Sequence, residues 1–165
     1  MYAEAISLHG AAIRRLARGY EADPDKRNDL LQEIHLELWK SFRSFDNRCS
    51  LRTWVYRVAH NVGASHVVRN RRLSSRLADL EDVQVETLGA EGQADRQLVA
   101  ARIFDLIHHL TPLDRQIIML YLEGEAAGPI ADVTGLSAAN VGTKIHRIKR
   151  VLQQQYSEGA ARAIS

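Results

Sequence analysis

Cysteine is almost absent from this chain of 165 residues, which contains Cys49 alone. A single thiol forms neither an intramolecular disulfide nor a thiolate metal cluster, so disulfide-stapled secreted folds and cysteine-ligated zinc domains are excluded. Prolines number three, and aromatic residues make up 6% of the chain. Because 45% of the residues are hydrophobic, there is still enough apolar material for a core, in one domain or two small ones.

Long apolar runs are also missing. No stretch approaches the roughly 20 residues that a transmembrane helix needs, and the N-terminus lacks the pattern of a signal peptide. We therefore expect no membrane segment and a cytoplasmic location.

The usual catalytic and metal-binding patterns do not occur either. His108 and His109 are adjacent and would diverge on a helix, and His60 and His66 would lie on different faces. The sequence has no His-Glu-x-x-His, no glycine-rich phosphate loop, and no serine or cysteine with a recognisable base partner. We predict a protein that is not an enzyme and has no cofactor or metal; an enzyme is the least favoured alternative.

Acidic residues are missing from one stretch in particular. Between Asn47 and Ala78 there is no Asp or Glu, while seven arginines fall there: Arg48, Arg52, Arg57, Arg69, Arg71, Arg72 and Arg76. Apolar residues recur in it every three or four positions, at Leu51, Val55, Val58 and Val62, which predicts a helix packed on one face. Ser50 is its predicted N-cap.

Seven guanidinium groups without an acid repel one another unless an anion meets them. With Trp54 and Tyr56 between the packed and basic faces, this helix is suited to a nucleic-acid backbone and unstacked bases. The alternative is a basic helix that is merely solvated.

Helical patterns occupy most of the remaining chain, so the predicted fold class is all-α with two small domains. Residues 1–73 form a three- to four-helix bundle, in which helices over residues 2–20 and from Asp25 to about Phe45 precede the arginine-rich one. Residues 74–96, rich in acid, form a flexible linker. Residues 97–165 form a four-helix domain.

The last part of the chain predicts a helix-turn-helix. A short helix over Pro129–Thr134 leads to Gly135 as the turn, and Ser137 caps a final helix to about Tyr156. Its outer face carries Asn140, which suits adenine, and Lys144 and Arg147, which suit guanine or phosphate. This pattern favours binding in the major groove of duplex DNA.

Three stretches in this order and spacing resemble the extracytoplasmic-function (ECF) group of bacterial RNA polymerase sigma factors, part of the sigma-70 family, over nearly the whole chain. The first runs from Asp29-Leu30-Leu31-Gln32-Glu33 through Leu38-Trp39. The second is Phe45-Asp46 followed by Ser50-Leu51-Arg52-Thr53-Trp54-Val55-Tyr56-Arg57-Val58-Ala59-His60-Asn61 and the arginine run. The third is Leu110-Thr111-Pro112-Leu113-Asp114-Arg115-Gln116 with the Ser137–Arg150 helix.

The resemblance implies a sigma factor that binds core RNA polymerase, recognises the minus-thirty-five and minus-ten promoter elements and helps to open the DNA. Residues 1–73 would be sigma region 2 and residues 97–165 sigma region 4. The implied partners are the beta-prime clamp helices and beta flap of the polymerase, promoter DNA, and an anti-sigma factor.

The resemblance also implies site residues. Those matching the polymerase-binding motif are Asp29, Gln32, Glu33 and Leu36. Those implied at the minus-ten element are Phe45, Asn47, Arg48, Arg52, Tyr56, Arg57, His60, Asn61, Arg69, Arg71 and Arg72. Those implied at the minus-thirty-five element are Ser137, Asn140, Thr143, Lys144, Arg147 and Arg150.

Some positions depart from the usual family residues, among them Gly63, Ser65, Lys144 and the stretch from Glu125 to Pro129. The alternative function is a helix-turn-helix regulator that binds duplex DNA without engaging polymerase. The Gln32-Glu33 pair and the basic helix argue against it, because a plain repressor needs neither.

Overall fold

The computed structural model describes the backbone of residues 1–77 and 94–163 and the side chains of residues 1–73 and 98–158. The described part is all-α, as predicted, and most of the predicted linker lies outside it. Its helices are α1 (Tyr2–Tyr20), α2 (Pro24–Ser41), α3 (Leu51–Leu77), α4 (Ala94–His108), α5 (Pro112–Leu122), α6 (Ala127–Thr134) and α7 (Ala138–Ala163).

Short polar side chains start four of these helices. The Asp23 carboxylate accepts hydrogen bonds from the backbone amides of Asp25 and Lys26 at 2.9 and 3.0 Å, ahead of α2. Ser50, Thr111 and Ser137 each accept from the amide three residues further on, at 3.0, 3.2 and 3.2 Å. Each bond satisfies a backbone donor that the first turn leaves unpaired. The predicted helix starts at Ser50 and Ser137 are thereby confirmed.

Two predicted helix ends are wrong. α2 ends at Ser41 and not near Phe45, because the chain turns there and Phe45 packs on Trp54 with ring centroids 5.2 Å apart. The Trp54 indole also donates to the Ser41 hydroxyl at 3.0 Å. α7 continues to Ala163, beyond the predicted end near Tyr156.

Each half of the chain has its own apolar core. In α1–α3 the buried side chains follow the helical stripes and include Ile13, Leu16, Leu30, Ile34, Leu38 and Val55. In α4–α7 they include Ile107, Ile117, Leu120, Ile130, Val141 and Ile148. Because these residues recur every three or four positions, each helix has one apolar side, which packs into the core of its half.

The two halves also pack against each other. α1 contacts α4 and α5, and α3 contacts α5 and α6. Ala12 and Tyr56, from the first half, join the core cluster of the second. Gly19 lies so close to Met119 that an added Cβ would stand 2.6 Å from the methionine sulfur. The surface between the halves is therefore a packed seam.

Gly63, in the middle of α3, is explained by the packing of α1. A Cβ added at Gly63 would lie 2.5 Å from Cδ2 of Tyr20, a ring that is itself 4% exposed. Glycine weakens a helix, but here it allows α3 to approach the tyrosine ring closely.

We expect Gly63→Ala to destabilise the protein even though alanine is the better helix former. Overpacking against a buried ring costs about 1–3 kcal/mol, which exceeds the gain of up to about 1 kcal/mol in helix propensity. The expected net loss in the free energy of unfolding is up to about 2 kcal/mol, measured by urea unfolding.

The matched control is Gly142→Ala in α7, where an added Cβ meets no heavy atom within 4 Å. That variant should gain about 0.5–1 kcal/mol from propensity alone. Equal gains in both variants would contradict the packing explanation.

Candidate polymerase and nucleic-acid interfaces

One side of α2 remains open to a partner. Since Leu30, Ile34 and Leu38 face the core, Asp29 and Gln32 are exposed on other faces of the helix. Leu36 is 49% exposed and Trp39, one turn on, is 52% exposed.

A large aromatic and a leucine next to polar groups form the kind of apolar patch that marks protein interfaces. Trp39 was not among the predicted site residues. The feature of the sequence that could have identified Trp39 is its position three residues after Leu36.

Glu33 connects this side of α2 to the arginines of α3. Its carboxylate accepts two hydrogen bonds from Arg69, Nη1 at 3.2 Å and Nη2 at 2.8 Å. This hydrogen bonding is the main reason that the pKa of Arg69 is raised. A residue predicted to bind polymerase is thus paired with one predicted to bind DNA. The side chains are 52% and 36% exposed, so solvent screens the pair and either ligand can replace it.

The loop before α3 is held by its own side chains. Asn47 adopts the left-handed backbone conformation, with φ at 61°, which asparagine tolerates better than most residues. Asp46 accepts from the backbone amide of Arg48 at 3.2 Å and pairs with its guanidinium. The backbone hydrogen bond is the main reason that the pKa of Asp46 is lowered. Asn47 and Arg48 therefore project into solvent, and Phe45 is half-buried behind them.

The outer face of α3 presents four of the predicted minus-ten residues. The side chains of Asn61, Arg69, Arg71 and Arg72 are all exposed. With Arg48 in the preceding loop, they form a basic surface that is open to solvent.

His60 does not belong to that surface, which corrects the prediction that it contacts bases. It is 1% exposed, and its Nδ1 shares a 2.9 Å hydrogen bond with the Tyr20 hydroxyl. Burial lowers the pKa of His60 to about 3. Desolvation also raises the pKa of Tyr20. The ring is a structural contact between α3 and α1.

Three more predicted minus-ten residues contact the second half, but only one of them is buried. Tyr56 is 3% exposed within the seam. Arg52 pairs with the Glu125 carboxylate and donates to the Glu123 carbonyl at 3.4 Å. Arg57 donates to the Asp132 carbonyl at 2.6 Å.

The predicted helix-turn-helix is present in α6, Gly135 and α7. Gly135 has φ at 76°, the left-handed conformation that ends α6 and that glycine adopts without strain. At the start of α7, Ser137, Asn140 and Thr143 are exposed. Arg147 and Arg150 are exposed one and two turns further along.

Asp114 orients the two central cations of α7. Its oxygens accept from Lys144 Nζ and Arg147 Nη2, both at 2.9 Å, while the carboxylate itself is largely buried. Asp114 stands in the first turn of α5, where its own amide is capped by Thr111. Sequence reasoning missed this role because the partners lie about 30 positions away.

An apolar groove runs between α4, α5 and α7. It has a volume of about 530 Å³ and is lined by Val99, Ile103, Tyr121, Leu122, Leu152 and Tyr156, among others. Leu122 and Val99 are 55% and 42% exposed, so the groove is open to a protein partner.

Neither a metal cluster nor a membrane span is found in what the structure describes. Within residues 1–73 and 98–158, no group of three or more His, Cys, Asp or Glu side chains could hold an ion. Within the same described part, no helix is both long enough and apolar enough to cross a bilayer.

Comparison with known families matches both halves of the chain. The model of sigma-70 region 2 matches residues 5–73, and that of sigma-70 region 4 matches residues 100–152. The ECF RNA polymerase sigma factor SigX of Bacillus subtilis is 26% identical, over 80% of this chain and 71% of its own length. The sigma factor CnrH of Cupriavidus metallidurans is also 26% identical, over 92% of this chain and 84% of its own.

Solved structures of sigma factors share the fold, among them two complexes. The sigma factor RpoE of Bartonella quintana, in complex with the anti-sigma factor NepR, superimposes with a TM-score of 0.75 at 20% identity, covering 94% of this chain and 96% of that one. CnrH in complex with the cytosolic domain of CnrY superimposes with a TM-score of 0.67 at 20% identity, covering 95% and 88%.

Proposed function

Because the chain belongs to the sigma-70 family, in its extracytoplasmic-function group, we propose that it binds core RNA polymerase, recognises the minus-thirty-five and minus-ten promoter elements and helps to open the DNA. The observation that carries this function is the occurrence of regions 2 and 4, in that order, on one chain. A regulator that binds only duplex DNA has no need of region 2. The protein acts as an initiation factor and not as an enzyme, in the cytoplasm, where core polymerase is found.

Residues 1–73 form the polymerase-binding and DNA-melting domain, and residues 97–165 the duplex-reading domain, with residues 74–96 as the linker. The exposed side of α2, with Asp29, Gln32 and Leu36, contacts the beta-prime clamp helices. Glu33 joins this contact when Arg69 leaves Glu33 to bind DNA. Trp39 adds apolar area to this contact. The apolar groove of the second half accepts the beta flap, since an open hydrophobic groove fits a protein segment and not a nucleic acid.

DNA contacts divide between α3 and α7. The exposed residues Asn47, Arg48, Asn61, Arg69, Arg71 and Arg72, with Phe45, hold the opened minus-ten strand. Arg52, Tyr56 and Arg57 join them when they leave their contacts with the second half. Stacking and phosphate contacts there repay the few kcal/mol that unstacking costs.

On the duplex, Asn140 reads adenine while Lys144 and Arg147, oriented by Asp114, contact guanine or phosphate. Ser137, Thr143 and Arg150 flank them along the groove.

An anti-sigma factor holds this chain inactive. The two solved structures described above are complexes with such a partner, NepR in one and CnrY in the other. The apolar groove and the exposed side of α2 are the surfaces that it would have to cover to prevent polymerase binding.

Adding the purified chain to core polymerase should produce promoter-specific transcripts. Substituting Gln32→Ala with Glu33→Ala should weaken core binding about tenfold, the loss expected for two central polar contacts of an interface. Affinity is measured by fluorescence anisotropy of labelled protein, and circular dichroism checks the fold.

The matched control replaces the same residue types near the end of α7, Gln154→Ala with Glu158→Ala, an exposed pair outside every proposed interface. Its core affinity should equal that of wild type. If both double variants bind equally well, α2 is not the docking face. If the chain binds duplex promoter DNA but never supports initiation, the proposed function is wrong.

A further inference from the structure

An open pocket lies between α1, α2 and α4, on a part of the surface that the proposed function does not use. Its volume is about 490 Å³, and small-molecule sites usually measure about 300–1,000 Å³. We define the basic pocket as this space, which is lined by Arg14, Arg18, Arg27, Asn28, Phe104 and Asp105, among others. It shares no described lining residue with the apolar groove of the second half or with the proposed polymerase and DNA contacts.

The three arginines of the basic pocket have no acidic partner. Arg14 and Arg18 are exposed and Arg27 is half-buried, and none of them forms an ion pair with a side chain that the structure describes. Arg15, the neighbour of Arg14 in sequence, instead pairs with Glu123 at 2.6 Å. Guanidinium groups around one opening repel one another unless an anion meets them.

Contacts between α1 and α4 hold the walls of the basic pocket in place. The Arg18 guanidinium lies 4.7 Å from the centre of the Phe104 ring, which is a cation–π contact. The Arg18 carbonyl accepts a hydrogen bond from Nε2 of His108, another lining residue, at 2.9 Å. Burial lowers the pKa of His108, so its ring is neutral at pH 7. Among the described lining residues, the positive charge therefore comes from the three arginines.

Linked phosphate groups fit these arginines. A guanidinium group binds phosphate oxygens through two parallel hydrogen bonds. Arg14 and Arg18 are one turn apart on α1, so their Cβ atoms are about 5–6 Å apart on the same face. Arg27 reaches the pocket from the first turns of α2. A diphosphate can contact both helices at once, whereas a single phosphate is small for a pocket of this volume.

The other lining residues suit a nucleoside. Leu31, Ala101 and Phe104 give the pocket an apolar side, and apolar walls with a few polar groups are typical of small-molecule sites. Asp105 is the one carboxylate among the lining residues that the structure describes. It would repel a phosphate, but a carboxylate is the usual acceptor for ribose hydroxyls in dinucleotide-binding sites. The pocket thus offers partners for both parts of a nucleotide.

We propose that the basic pocket binds a nucleoside diphosphate. Its phosphates contact Arg14, Arg18 and Arg27, its ribose hydroxyls donate to Asp105, and its base lies against the apolar side. The inference does not rest on the proposed function, because no residue assigned to the nucleotide is assigned to polymerase or DNA. A chain that bound nucleotide but supported no initiation would overturn the function and leave this site standing.

Isothermal titration calorimetry of the full chain with ADP and with GDP tests the site. We expect saturable binding in which Arg14→Gln and Arg27→Gln each weaken affinity about tenfold, the loss of one charge-assisted contact to phosphate. Glutamine is also a good helix former, and circular dichroism checks the fold. If wild type binds neither nucleotide at millimolar concentration, or if either arginine variant keeps wild-type affinity, the inference is wrong.

Lys26→Gln is the matched control. It removes the same charge from the same turn of α2 as Arg27→Gln, but Lys26 is exposed and is not among the lining residues. Its affinity for ADP should stay within about twofold of wild type, because salt screens an exposed charge outside the site. A loss as large as that of Arg27→Gln would show that general charge attracts the nucleotide, and would overturn the inference.

Inorganic pyrophosphate distinguishes a free diphosphate from a nucleoside diphosphate. It should bind about tenfold more weakly than ADP, because it makes no contact with Asp105 or the apolar side. Asp105→Ala should reduce this preference to about twofold, since it removes the acceptor for the ribose. The ratio of the two affinities cancels the effect of the lost charge. Equal binding of pyrophosphate and ADP by wild type would contradict the assignment of a nucleoside.

A nucleic-acid strand is the competing occupant of the basic pocket. We expect a single-stranded oligonucleotide to leave ADP bound, because none of the described lining residues is a proposed DNA contact. If the oligonucleotide displaces ADP, and Arg14→Gln weakens both ligands alike, the pocket is part of a nucleic-acid surface and the inference is wrong.

Discussion

The free energy of unfolding should fall steeply as the pH drops below about 6.5, because His60 is buried in its neutral form. Its pKa is 6.5 in an exposed reference state and about 3 in the folded chain, lowered by burial alone. Above pH 6.5 neither state binds a proton at His60, and its contribution to stability is complete. Between pH 6.5 and 3, His60 binds a proton in the unfolded chain but not in the folded chain.

The loss approaches about 1.4 kcal/mol for each pH unit, or roughly 2 kcal/mol at pH 5. The site offers a protonated ring little compensation, because its neighbours are Tyr20 from α1, which forms the hydrogen bond, and Tyr56 from its own helix, 6.5 Å away between ring centroids. The Arg115 guanidinium from α5 lies 5.7 Å from the centre of the Tyr20 ring. The pKa values of His9, His35 and His108 are also lowered, so these residues too reduce the free energy of unfolding as the pH falls.

Urea unfolding of wild type and His60→Asn from pH 7.5 to 5 isolates the contribution of His60. Asparagine can place a polar atom near the position of Nδ1, so the Tyr20 hydroxyl keeps a partner while the titration is removed. The variant should be less stable at pH 7.5 because it leaves a cavity. Its difference from wild type should shrink by roughly 2 kcal/mol at pH 5. A constant difference across this range would show that His60 does not titrate as a buried group.

Local features of the fold could be predicted because they depend on neighbours in sequence. Asp23, Ser50 and Ser137 cap helices through amides two or three residues away, and the apolar stripes repeat every three or four positions. The positive φ at Gly135 likewise follows from a turn that few other residues tolerate. These features are sufficient to predict an all-α chain with a helix-turn-helix.

The site was less predictable because its key contacts join distant residues. Arg15 meets Glu123, Arg69 meets Glu33, and Arg147 meets Asp114. No periodicity connects such positions, so the sequence identified a run of seven arginines as basic but did not show which of them pair with the second half. His60 shows the same limit. The family resemblance implied that it contacts bases, whereas in the structure it is buried and hydrogen-bonded to Tyr20, forty residues away.

The stretch from Glu125 to Pro129 was notable in the sequence only as a departure from the usual family residues, and the structure explains both of its ends. In the structure, Glu125 pairs with Arg52 across the seam, and α6 begins two residues before Pro129, at Ala127. Proline is tolerated there because the first turn of a helix leaves its amides unpaired in any case.

Arg115→Met should lower the free energy of unfolding by about 3 kcal/mol, through carbonyl groups left without donors. Arg115 is 3% exposed, and its guanidinium donates to the carbonyls of His108 and, at 3.4 Å, of Leu110 and Tyr20. Tyr20 ends α1 and His108 ends α4, so one cation serves the carboxyl ends of two helices, where carbonyls lack partners and the helix dipole favours positive charge.

Burial lowers the pKa of Arg115, which reflects the cost of desolvating the cation. Replacing a buried charge with an apolar residue can be neutral when its partner is also removed. Here the partners are backbone carbonyls, which stay, so methionine fills the volume but satisfies none of them. Arg115→Lys should lie between wild type and Arg115→Met, because a single ammonium group cannot reach carbonyls on both helices.

Arg48→Met is the matched control, since its side chain is 88% exposed and bonds only within its own loop among the contacts that the structure describes. Its free energy of unfolding should remain within about 0.5 kcal/mol of wild type. Because Arg115 joins α5 to the end of α1, Arg115→Met should also enlarge the radius of gyration before unfolding begins, whereas Arg48→Met should not. If Arg115→Met unfolds at the wild-type denaturant concentration, the carbonyls of α1 and α4 have other donors and Arg115 does not join the two halves.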